Sequence, residues 1–186
     1  MTGKTLKKLL DVCKGNIPPD TVIKHANVIN VFTNSIDEDV TITIKDGWIV
    51  SISNKNNQYC GNPEIIDAKG LFLCPGFIDA HTHLDSMYPF HELVPYSIKG
   101  GTTTVITECA MAANASGFKG VESFIKSTKN YPLRCYFVAP PLTPPLPEME
   151  ESVGITIHEF KKLLKIKDFL GIGEAYWTSV IDGDER

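Results

Sequence analysis

The stretch "LCPGFIDAHTHLD", residues 73–85, decides how the rest of the chain is read: an apolar run closes in two histidines one residue apart, followed by an acid. In a strand, successive side chains alternate between faces, so His81 and His83 point one way and Thr82 the other. Two imidazoles on one side of a strand end suit a divalent metal such as Zn, Fe or Mn. The same spacing also arises where a buried strand simply closes in polar residues. The pair alone does not separate the two readings.

Downstream, the pattern has the period of strand plus helix. "LFLCPGFIDA", "TTTVITECA", "RCYFVAPP" and "FLGIGEAYW" read as short apolar strands starting near residues 71, 102, 134 and 169, with room for a crossover helix in each interval. The intervals contain "PFHELVPYSIKG", "GVESFIKSTKN" and "TIHEFKKLLKIKDF". In the last, Thr156 and Glu159 form a capping box, and Phe160, Leu163 and Leu164 share a face. Strands alternating with helices predict an α/β fold of parallel βα units, whose chemistry gathers at the carboxyl ends of the strands. About 115 residues follow position 70, whereas a closed (β/α)8 barrel takes about 250. Four units are therefore expected, as the amino-terminal part of a larger protein.

Upstream, Leu6, Leu9, Leu10 and Cys13 lie at helical spacing, and "GNIPPD" ends that helix. "TVIKHANVINVF", "DVTITIKDGWIVSIS" and "EIIDAKGLFL" are β-branched runs, with Asp46-Gly47 marking a hairpin. The expected organisation is a helix and linker over 1–19, a small β domain over 20–70, and βα units over 71–186.

Composition narrows the function. With 186 residues, 42% hydrophobic and 22% charged, the chain suits a globular protein with a sizeable core. A net charge of -4 with scattered Lys and Arg disfavours nucleic acid and anionic membranes as partners and leaves a small-molecule substrate. The first 15 residues lack a signal-peptide core and no segment has the roughly 18 apolar residues of a membrane span, so a cytoplasmic setting is expected. Five cysteines without CxxC spacing argue against a disulfide framework or thiolate zinc site, so any metal falls to His and carboxylate.

"PGFIDAHTH", residues 75–83, resembles the first barrel strand of the amidohydrolase superfamily, which closes in PGFIDxHxH. "KDGWIVSI" and "IIDAKGLFLCPG" are similar to the small β domain that leads into that barrel. The resemblance makes His81 and His83 metal ligands. Many of these enzymes carry a carboxylated lysine at the end of the fourth strand. Here "GIGEAYW" places Glu174 there, and a carboxylate can bridge two cations about 3.5 to 4 Å apart. Glu174 in "GIGEA", the run "GGTTTVITE" and the proline-rich "APPLTPPLPEMEESVG" together resemble adenine deaminases, over residues 20 to 182.

One segment departs from that pattern. Adenine deaminases usually follow the second strand with Asp-Pro-His-Glu and a segment ending Ala-Asn-x-x-Gly. "ECAMAANASG" keeps Ala113, Asn114 and Gly117 but presents Glu108, Cys109, Ala110 and Met111 at the first four positions. Glu108 is read either as retaining the acidic function or as a plain strand-end acid. Asp79 is read as an acceptor that orients a ligand histidine or as a structural hydrogen-bond partner, and Asp85 as a loop residue or pocket contributor. His91 and His158 fall on helices as surface residues, and His25 lies in the β unit. Cys109 reads as a small buried thiol. Tyr176 and Trp177 read as strand-end aromatics that pack or stack on a planar base.

The resemblance implies one or two divalent ions (Mn, Fe or Zn) held by His81, His83 and Glu174, with Glu174 also catalytic. The reaction it implies is hydrolytic deamination of adenine or a related aminopurine: water adds to the ring carbon bearing the exocyclic amine and ammonia leaves. Further histidines and an aspartate come from later strands in such enzymes, so this chain alone should bind metal weakly and deaminate little. A homo-oligomer fits the same resemblance. The alternatives are a cyclic-amide or N-acyl hydrolase of the superfamily, or a non-catalytic member.

Overall fold

In the computed structural model, residues 2–54, 59–146 and 148–183 are described. Pro147 of the proline-rich segment and residues 184–186 of "IDGDER" lie outside them. The fold is mixed α/β, in two compact units, Met1–Pro75 and Gly76–Arg186.

The first unit opens with helix α1 (Gly3–Cys13), begun by the Thr2 hydroxyl, which accepts the Thr5 N–H at 3.3 Å. Five strands follow: β1 (Thr21–Asn30), β2 (Ser35–Lys45), β3 (Trp48–Ser53), β4 (Glu64–Asp67) and β5 (Phe72–Leu73). The sheet order is β3-β2-β1-β4, with β5 also pairing β1. Asp46 and Gly47 turn β2 into β3 at φ 49° and 73°, the left-handed pair a two-residue hairpin requires. Ala26, Val40 and Ala68 form the small core.

The second unit carries β6 (Phe77–Thr82), α2 (Phe90–Lys99), β7 (Thr102–Thr107), α3 (Ala110–Ser127), β8 (Arg134–Ala139), α4 (Ile157–Leu163), β9 (Phe169–Ile172) and α5 (Trp177–Ile181). Its four strands are parallel, in the order β6-β7-β8-β9. Cys135, Phe137 and Ala139, at the period-two spacing of one strand face, pack against Val121, Ala113 and Leu163 of the helices. Val105 meets Phe90, Val94 and Leu133 in a second cluster. The capping box opens α4 as expected: the Thr156 hydroxyl accepts the Glu159 N–H at 3.3 Å, and Glu159 accepts the Thr156 N–H at 2.8 Å. The outer strands stay open, with Phe77 and Ile78 of β6 and Leu170 and Ile172 of β9 exposed.

Three elements differ from the sequence-based expectation. "LFLCPGFIDA" is two strands, because Pro75 has no N–H to continue a ladder and the chain leaves β5 of one sheet to enter β6 of another. The helix after β7 begins at Ala110, ten residues before "GVESFIKSTKN", and bends where Ser116 and Gly117 leave helical φ/ψ. Trp177 stands in the short helix α5 rather than at a strand end.

Candidate metal centre

The site gathers at the carboxyl end of the second sheet. His81 lies in β6 and His83 one residue past it; Glu174 lies two residues past β9. His81 Nε2 is 3.0 Å from Glu174 Oε1, and His83 Nε2 is 3.4 Å from Oε2. Each carboxylate oxygen thus faces a different imidazole. The two rings stand edge to face, with centroids 5.2 Å apart. Alternation in β6 turns both histidines to one side, and parallel strands bring their carboxyl ends to one edge.

Ligand-type atoms of His81, His83 and Glu174 all lie within 4.8 Å of one another. Two imidazole nitrogens and a carboxylate suit a borderline divalent ion such as Zn, Fe or Mn. The residues present fit such an ion, and all three side chains are partly open.

The acids around them do different work. Asp79 accepts the backbone N–H of His81 at 3.2 Å and so holds the strand rather than the ring. Asp85 Oδ2 accepts the Ala112 N–H at 3.0 Å, in the first turn of α3. Burial pushes its carboxyl above the usual range, and the amides of Ala112, Asp85 and Met111 oppose that shift. Glu108, only 2% exposed, accepts the Glu174 N–H at 2.8 Å. Burial raises its pKa first and the Glu174 charge adds to this; the hydrogen bond from Glu174 and the nearby His83 and His81 pull the other way.

The remaining candidates stand apart from the cluster. His25 Nδ1 is 3.0 Å from Asp39 in the first unit, and His91 Nε2 is 3.2 Å from Glu92 on α2. His158 lies on α4. Cys109 is buried at the start of α3, and desolvation drives its thiol far above its ordinary value, so it stays protonated and unreactive. Two positions emerge only from the structure. Thr107 Oγ1 accepts the Leu84 N–H at 3.0 Å, and a side chain at Gly173 would run into the Glu108 carboxylate. A glycine directly before a strand-end acid was the one sequence signal available for the second.

Residues 64–131 match the model of an amidohydrolase family. Over 185 residues the chain is 32% identical to an adenine deaminase of Moorella thermoacetica, covering 98% of this chain and 31% of that protein. Over residues 64–131 the chain is similar to that amidohydrolase family. A second adenine deaminase, of Desulfitobacterium hafniense, is 35% identical over 189 residues, covering all of this chain and 32% of the relative. The chain thus spans about a third of the length of these curated relatives. A solved D-aminoacylase, described as having a binuclear metal centre, shares the fold at a TM-score of 0.50 and 20% identity, over 65% of this chain and 29% of that one. Members of the family are metal-dependent, in keeping with the His81, His83 and Glu174 cluster.

Proposed function

We propose that this chain supplies the first ligands of a metal-dependent hydrolase that deaminates adenine or a closely related aminopurine. The observation that carries the reading is the convergence of His81, His83 and Glu174 at the carboxyl ends of β6 and β9, in a chain whose curated relatives are adenine deaminases. The exposed apolar edges at Phe77, Ile78, Leu170 and Ile172 support placing these four units as the start of a (β/α)8 barrel, since open strand edges call for cover. Five unpaired cysteines fit a reducing cytoplasmic setting.

In this reading His81 and His83 would hold a divalent ion together with Glu174, whose two oxygens face the two imidazoles. The ion, when bound, supplies Lewis acidity that makes water a nucleophile near neutral pH. Asp79 fixes the His81 backbone, and Glu108 fixes that of Glu174. The exocyclic amine leaves as ammonia when water adds to the ring carbon that bears it.

Ammonia release from adenine, ring opening of a dihydropyrimidine and release of free amino acid from an N-acyl amino acid are measured with the longest natural protein that contains this chain, together with metal content. Release from adenine alone, lost with metal in a His81→Ala, His83→Ala variant, supports the reading. Turnover of the cyclic amide or the acyl substrate moves the activity elsewhere in the family. Negligible metal, unchanged by the double substitution, identifies a non-catalytic member.

A further inference from the structure

The strand-end pair Thr107-Glu108 reaches every chain segment that carries the cluster. The Glu108 N–H donates to Thr82 O at 2.9 Å, and Thr107 Oγ1 accepts the Leu84 N–H at 3.0 Å. His83 is therefore bracketed on both sides by bonds to the end of β7. From the same point the Glu108 side chain accepts the Glu174 N–H at 2.8 Å. Since β8 lies between β7 and β9, that side chain has to cross the end of β8 to make the bond. Gly173 leaves room for it: its N–H bonds Ala139 O at 2.8 Å, and a Cβ there would overlap the Glu108 carboxylate. Both members of the pair are buried.

A buried carboxylate of this kind has two possible uses, as a ligand or as a brace. Glu108 does not belong to the cluster of ligand atoms that lie within 4.8 Å of one another, which among the described residues consists of His81, His83 and Glu174. One of its oxygens already holds the Glu174 backbone. Partners that bond metal ligands fix the ligands' orientation; Glu108 acts one step further back, by holding the backbone from which the Glu174 side chain projects.

We propose that Glu108 is a positioning residue that sets Glu174 against His81 and His83, with Gly173 as the gap through which it reaches. The proposal rests on the metal-site reading above. It requires the length of Glu and an acceptor oxygen, and it does not require the charge. Asp is one methylene too short to cross β8, whereas Gln keeps both reach and acceptor.

Co2+ titration of the longest natural protein that contains this chain, followed by visible absorption, is compared among wild type, Glu108→Ala, Glu108→Asp and Glu108→Gln, with amide exchange at Glu174 and circular dichroism as parallel readouts. The Ala and Asp variants should weaken Co2+ binding by about 10- to 100-fold and speed exchange at Glu174, while Gln stays near wild type in both. Unchanged Co2+ affinity in a natively folded Ala variant would overturn the proposal, as would a Gln variant as weak as Ala, which would make charge the cause. Should Ala unfold the unit, the Asp and Gln pair carries the same comparison. Co2+ binding that survives His81→Ala with His83→Ala, or no uptake by wild type at millimolar Co2+, overturns the metal site itself and this role with it.

Discussion

The Asp85 carboxylate caps a helix that begins 25 residues later in the chain, accepting the Ala112 N–H at 3.0 Å. The N-cap of α3 is Cys109, whose side chain makes no capping bond, so the free amides of the first turn take their acceptor from the loop after β6. The carboxylate therefore ties the segment that carries His83 to α3. Asp85→Ala should destabilise the second unit by about 0.5–2 kcal/mol, the usual range for loss of a cap. Asp85→Asn, which keeps an acceptor, should cost less. Urea unfolding of the two variants and wild type measures the difference.

A divalent ion that binds the folded chain and not the unfolded one must raise its unfolding temperature by mass action. At a free Zn2+ concentration one hundred times Kd the gain is about 2.7 kcal/mol. The shift should vanish on adding a chelator and in Glu174→Ala, whose side chain faces both histidines. His91→Ala, which removes a histidine paired with Glu92 on α2, should leave the shift intact. Scanning calorimetry with and without Zn2+ gives all four values.

Acid should weaken the first unit through Asp20. Its carboxylate takes the Lys45 ammonium at 2.6 Å and the Asp46 N–H at 2.7 Å, and these bonds, the Lys45 one first, hold its pKa below the ordinary carboxylate range. A carboxyl depressed in the folded state binds protons more readily when unfolded. Its contribution is present above the unfolded pKa and is lost as pH falls through the lower folded value. Asp20→Asn should therefore lower the unfolding midpoint at neutral pH, and the gap to wild type should close below about pH 4. Thermal unfolding of the two proteins across that range tests the sign.

What could be read in advance follows the range of the interaction. Asp46-Gly47, the Thr156 and Glu159 capping box and the HxH spacing of His81 and His83 are each written within a few residues, and each is found where the sequence places it. The start of α3 was hidden because its cap, Asp85, lies far from it in sequence, and a helix without a local capping residue looks like loop. The hold of Glu108 on Glu174 spans 66 positions. No local pattern could separate it from an ordinary strand-end acid. The division of "LFLCPGFIDA" between two sheets depended on partners that only the folded chain supplies.

Gly117 turns a feature kept by the sequence into a measurable constraint. Within α3 it sits at φ 61°, ψ -149°, a region that only glycine adopts without strain. A Cβ there would come within 2.8 Å of Val153 Cγ1 and 2.9 Å of Gly154 O. Those neighbours belong to the segment that Asn114 anchors by accepting the Val153 N–H at 2.9 Å. Backbone strain and steric overlap act together, so Gly117→Ala should cost about 1–3 kcal/mol from the backbone alone. Gly15, also at positive φ but with open space around a Cβ, supplies the control: Gly15→Ala should cost less, because it has only the backbone term. Paired urea titrations compare them, and equal losses would show that the packing of 153–154 against α3 adds nothing.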